Sequence, residues 1–145
     1  MPMTVESLLV RKGNHVTTIH PNATIQSAAD RMREQNIGAL VVINFGDIVG
    51  VLSERDIVHG FARYGDRLGP MAVKEILPSN FVAVAPHDDL KRAMTLMTYH
   101  RARHLVVRRD GKLAGIISIG DVLKYRVSDL ELESNVLRDL YIAAH

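Results

Sequence analysis

The chain has 145 residues, 47% apolar and 23% charged, and contains no cysteine. These ordinary globular proportions argue against disorder, and the missing cysteines exclude a disulfide framework, thiolate chemistry and zinc-ribbon sites. A formal charge of +2 does not by itself mark a nucleic-acid binder, and apolar runs such as Leu40-Val41-Val42-Ile43 are far too short to cross a bilayer.

The beginning of the chain lacks the basic-then-apolar pattern of a secretion signal, so a cytoplasmic location with no membrane partner is expected. Residues 16–19 form a β-rich run closed by Pro21. A helix is expected from about Thr24, a capping residue, to Gln35, with Ile25, Ala28, Ala29 and Met32 on its apolar stripe. Two apolar runs, 39–43 and 48–52, flank a turn at 44–47 and read as a hairpin. A second helix starts at Ser53, and the segment 60–70, with three Gly and a Pro, reads as a connector.

The order then returns. Residues 81–84 repeat the β-rich run, a helix is expected from about Asp89 to Tyr99, and runs 105–108 and 113–117 flank Asp110-Gly111. At an offset of 65, Pro21 meets Pro86, Met32 meets Met97, Gly50 meets Gly115, Ser53 meets Ser118 and Asp56 meets Asp121. At an offset of 68, residues 5–9 resemble residues 73–77. The chain is therefore a duplication of a β-α-β-β-α unit, an α/β (α+β) fold. Its two copies are expected to pack sheet against sheet about a pseudo-twofold axis. The division is residues 5–60 for the first repeat, 61–72 for a linker, 73–124 for the second repeat and 125–145 for a helical extension. A helical pattern over residues 121–142 carries too many apolar positions for a free tail, and implies packing on the body or on a second subunit.

Each copy runs from an apolar strand into a helix through Gly-x-x-Ser-x-x-Asp: Gly50, Ser53 and Asp56 in one, Gly115, Ser118 and Asp121 in the other. By itself Ser-x-x-Asp is a helix cap. The same corner can also serve a ligand, since helix starts favour phosphate and an aspartate can accept both hydroxyls of a ribose. Two equal caps do not require a duplication, whereas two equal clefts follow from one.

Two such units in register resemble a tandem pair of CBS domains, a Bateman module, over most of the chain from Val5 to Lys124. The resemblance implies a non-enzymatic module that binds adenine nucleotides (AMP, ADP, ATP or NAD) and reports energy or redox state to an unidentified protein. At this length no attached catalytic domain is expected, and a homodimer is. It also implies that the Ser-x-x-Asp corner of each repeat faces the other repeat. One cleft would join Ser53, Arg55 and Asp56 with Val82, Arg101 and the pair Arg103-His104; in reversed order that pair matches the phosphate-holding basic pair in the regulatory gamma subunit of AMP-activated protein kinase. The other would join Ser118 and Asp121 with Lys12, Thr17, Gly38 and Ala39. AMP or another adenine nucleotide is expected in the first, with adenine near Thr17–Thr18 or Val82–Val84 and with Arg55, Arg103 and Arg101 on phosphate. The second is expected to hold an adenosine moiety, the ADP part of NAD, or nothing.

Two other classes compete. Residues 81–126 carry nine Lys/Arg against four Asp, which a nucleic-acid binder could use, but aromatic residues make up only 5% of the chain. A nucleotide-hydrolysing enzyme would need a paired nucleophile and base, which the pattern lacks. His100 and His104 have helical metal spacing, but the arginines between them oppose a cation, so no metal is expected. His15, His20, His59 and His87 are scattered and are assigned no role.

Overall fold

The computed structural model describes residues 3–144; His145, the last residue of the expected extension, lies outside them. The elements in order are α1 (Val5–Lys12), β1 (Thr18–Ile19), α2 (Ile25–Gln35), β2 (Ala39–Asn44), β3 (Asp47–Ser53), α3 (Glu54–Tyr64), β4 (Ala83–Val84), α4 (Leu90–His100), β5 (His104–Arg109), β6 (Lys112–Ser118) and α5 (Ile119–Ala144). Two three-stranded sheets form, β1-β2-β3 and β4-β5-β6, each with one parallel and one antiparallel pairing. The hairpin turns place Phe45-Gly46 and Asp110-Gly111 at positive φ, the geometry that matches strand twist in a two-residue loop. Each hairpin has its register irregularity at the same place, after Val42 and after Val107.

Side chains alternate across each sheet. Leu40, Val42 and Leu52 face a core with Ile25, Ala28 and Met32 of α2; Leu105, Val107 and Ile117 face one with Leu90, Ala93 and Met97 of α4. Val41 and Val106, both fully buried, belong to neither core and lie on the opposite faces, where the sheets meet about the pseudo-twofold axis.

The segments that lead into each repeat are exchanged. α1 does not cover the repeat it precedes: Val5, Leu8 and Leu9 join the second core, with Val84, Leu90 and Leu105. Its start is fastened there by hydrogen bonds from the Val5 amide to the Asp88 carbonyl (2.8 Å) and from the Glu6 amide to the Pro86 carbonyl (2.9 Å). Val73, Ile76 and Leu77 cover the first core, where the Val73 amide meets the Ala23 carbonyl at 2.8 Å and the Lys74 amide meets Pro21 at 3.0 Å. The glycines before each corner make the crossing possible. A Cβ on Gly115 would stand 2.8 Å from Leu9, and one on Gly50 3.0 Å from Leu77.

Two readings are corrected. The first strand of each repeat is two residues long rather than four, although the ladder reaches one residue further through the carbonyls of Thr17 and Val82. The helix expected to end near Gly60 continues to Tyr64; this glycine is buried beneath Leu68 and Ile76, a close approach rather than a stop. In α5 Val122 is buried, whereas Leu130, Leu132, Val136, Leu137, Leu140 and Ile142 are exposed, which of the two expected placements leaves these side chains the second subunit.

The exchange is testable. Leu8→Ala should cost about 2–5 kcal/mol and should speed hydrogen exchange in β5 and β6, the strands next to the core Leu8 enters. Loss of protection confined to β2 and β3 would contradict it.

Candidate functional site

Both corners form the same way. Ser53 is extended (φ −105°, ψ 161°), its hydroxyl accepts the Asp56 amide at 3.2 Å, and Asp56 Oδ2 accepts the Ser53 amide at 2.8 Å. At the second corner the Asp121 amide donates to the Ser118 hydroxyl at 3.0 Å and Asp121 Oδ2 accepts the Ser118 amide at 2.8 Å. The capping reading of Ser-x-x-Asp is thus realised, and such a cap is worth about 0.5–2 kcal/mol. It leaves room for a second role. Asp56 also accepts the Ser53 hydroxyl at 2.9 Å on Oδ2, while its Oδ1 has no hydrogen-bond partner among the described residues.

Each corner opens on a cleft between the repeats. The first, about 420 Å³, brings together Ser53, Arg55, Asp56, Val82, Arg101, Arg103 and His104. The second, about 350 Å³, brings together Ser118, Asp121, Lys12, Thr17, Gly38 and Ala39. Both sizes suit a small organic ligand. The crossed arrangement follows from the sheets meeting face to face, which sets the helix start of one repeat against the first strand of the other. A larger groove of about 670 Å³ lies between α1 and the β5–β6 hairpin, with the Glu6–Arg109 ion pair beside it, but no Ser-x-x-Asp corner opens on it.

The clefts differ in where their cations stand. In the first, Arg55 comes from the first turn of α3, Arg101 caps the end of α4 in the left-handed conformation (φ 52°), and Arg103 precedes β5. Three arginines therefore line the cavity on which the Asp56 corner opens, together with the acidic Glu54. In the second, the Lys12 ammonium donates to Asp121 Oδ2 at 2.5 Å and to the Ile116 carbonyl at 2.6 Å. Burial alone would raise the Asp121 carboxyl, but the hydrogen bonds from Lys12 and the Ser118 amide, with the Lys12 charge, outweigh it and hold the group below its ordinary 3.8.

His104 is expected only in the first cleft, yet it lines both. Its ring stands beside the bare Cα of Gly38, where a Cβ would lie 3.6 Å from Nε2. Burial holds its imidazole below 6.5; Lys12 and Arg103 add to this, while Asp121 and Glu54 oppose it. His59 and His15, given no role by sequence, line the first and second clefts respectively. Spacing carried a signal for His59, which follows Asp56 by three residues on the same helical face. Pro78, Asn80 and Phe81 also line the first cleft and were missed; nothing in their order marks them.

The sequence profile described as "CBS domain" matches this chain twice, over residues 5–63 and 73–128. The chain belongs to the CBS-domain family. It is similar to the CBS domain-containing protein YhcV of Bacillus subtilis, 35% identical over 114 residues that span 79% of this chain and 81% of the relative. The crystal structure of a CBS-domain containing protein from Agrobacterium tumefaciens, ATU1752, is 38% identical with a TM-score of 0.83, covering 86% of this chain and 99% of that one. The CBS pair of protein MJ0100, solved with 5′-methylthioadenosine and S-adenosyl-L-methionine, is 20% identical with a TM-score of 0.79, covering 89% and 98% of the two chains, and shares the fold. No helix among the described residues of this CBS pair is long and apolar enough to cross a membrane.

The half-buried His104, its imidazole held below the ordinary value, leads to an expected acid dependence of the CBS pair's stability. A histidine whose folded-state pKa is depressed contributes stability that is present above the unfolded value, near 6.5, and lost as pH falls through the folded one. Thermal unfolding of the wild type should therefore weaken on acidification below about pH 6.5, and His104→Gln should flatten that part of the profile. Equal acid dependence in both proteins would remove His104 as its source.

Proposed function

We propose that this CBS pair is a non-enzymatic regulatory module whose first cleft binds AMP or another adenine nucleotide, or the ADP half of NAD, and that it reports occupancy to a partner protein. The observation that carries this reading is the meeting, in one cavity, of the Asp56 corner with Arg55, Arg101 and Arg103. The open Oδ1 of Asp56 suits the ribose diol, and the Ser53 hydroxyl suits ribose or phosphate. The three arginines offer fixed, permanently charged forks to the phosphate, with His104 as a further donor. Val82, Phe81 and Pro78 offer adenine an apolar wall. The adenosine ligands of the MJ0100 pair support the ligand class.

Other arginines of the basic half are engaged elsewhere, which weakens the nucleic-acid alternative. Arg109 pairs with Glu6, Arg92 with Asp88 at 3.6 Å, and Arg108 lies 5.1 Å from the centre of the Phe81 ring. The exposed apolar positions along α5 support a homodimer, and a cytoplasmic location fits the ligand.

Calorimetric titration with AMP, ATP and NAD tests the site. Arg103→Ala and Asp56→Ala should each weaken binding about ten- to a hundredfold, the loss expected for one charge-assisted contact. Unchanged affinity in both variants would sink the assignment, as would a wild type that binds none of the three at millimolar concentration.

A further inference from the structure

The two corners share a backbone but not an electrostatic state. Lys12 is the last residue of α1, where the helix carbonyl ends favour a cation. α1 is held over the second repeat by Val5, Leu8 and Leu9, with Leu9 seated on Gly115 in the strand that leads to Asp121. The same seating carries Lys12 to Asp121 and to the Ile116 carbonyl, and leaves the lysine and aspartate side chains only 26% and 22% exposed. Among the described residues no lysine lines the first cleft; Asn80, from the lead-in of the second repeat, does, and the cleft's arginines make no ion pair with Asp56.

Resting on the nucleotide reading of the first cleft, we propose that Lys12 is an internal cation that withholds Asp121 from a ribose, so that the second cleft stays closed to nucleosides and each chain takes one adenine nucleotide. Lys12 then acts as a specificity-determining residue rather than a phosphate contact. A nucleoside entering the second cleft would meet a carboxylate whose charge the Lys12 ammonium already neutralises at Oδ2, so that its open Oδ1 would be a weaker acceptor for a ribose hydroxyl than that of Asp56. Apart from Lys12 the second cleft has, among the described residues, no permanently charged cation for a phosphate and only the imidazoles of His15 and His104 in its lining, because Gly120 and Gly38 stand where the first cleft has Arg55 and Arg103. With Lys12 removed, the second cleft keeps the Ser118-x-x-Asp121 corner and should take an uncharged nucleoside in preference to its phosphate.

The two possible roles of Lys12 predict opposite signs. In an Asp56→Ala background, which removes the ribose acceptor of the first cleft, calorimetric titration with adenosine should show at least about tenfold tighter binding when Lys12→Met is added. Adding Asp121→Ala should abolish the gain. No gain in the double variant, or a gain that survives Asp121→Ala, overturns the proposal, and so does wild-type protein that binds two AMP per chain. A failure of the first-cleft reading shows separately, as AMP affinity that is the same in wild type and in Asp56→Ala. The ion pair has a readout without any ligand: carboxyl NMR should place Asp121 below the ordinary carboxylate range in wild type and return it upward in Lys12→Met and Lys12→Gln. An unmoved Asp121 titration in both folded variants likewise overturns the proposal.

Discussion

Leu9 rests on Gly115, and Leu77 rests on Gly50, each reaching across to the repeat it does not precede in the covalent order. Everything functional in the molecule depends on this crossed seating. A side chain at either glycine would overlap the leucine above it, so the approach fixes the spacing between a lead-in segment and the strand that ends in Ser-x-x-Asp. Because α1 and residues 73–77 are exchanged, neither repeat has a complete core without a segment from the other's side of the chain. The two helix starts are consequently held against the opposite sheet, and the clefts are features of the pair, with walls from both repeats.

On that symmetric frame the chemistry is set by single positions. Gly38 and Arg103 are equivalent in the duplication, as are Gly120 and Arg55. At both corners it is Oδ2 that is engaged; at the second it also accepts the Lys12 ammonium, so a lysine neutralises that aspartate, whereas arginines line the first cleft without an ion pair to Asp56 among the described residues. Under the proposed role of Lys12, a shared backbone and different charge placement give one chain two sites of different competence. His104 lines both, its Nε2 standing 3.6 Å from where a Cβ at position 38 would lie, with Glu54 Oε1 nearer at 3.2 Å.

Much of this was legible in the sequence because duplication is read by comparing the chain with itself. The offset between the copies, the hairpins with Phe45-Gly46 and Asp110-Gly111, the helix starts at Thr24 and Asp89, and the two corners all rest on local patterns. The membership of the clefts followed from the family resemblance rather than from spacing. What local patterns do not carry is which repeat a segment packs on. Residues 5–9 and 73–77 look alike and each is a short amphipathic piece, so nothing in them says that they are exchanged. Gly60 misled for the same reason: a glycine that lets Leu68 approach reads the same as one that ends a helix. The Lys12–Asp121 contact joins residues more than a hundred positions apart, and only the exchanged α1 brings them together.

The central claim is that one corner is open to a nucleotide and the other is held by the protein's own lysine. A crystal structure of the full chain grown with AMP tests it most directly. It should show the ribose hydroxyls on Asp56, the phosphate against Arg103 and its neighbouring arginines, and Lys12 still on Asp121. AMP seated on Asp121, or in neither cleft, would contradict the account.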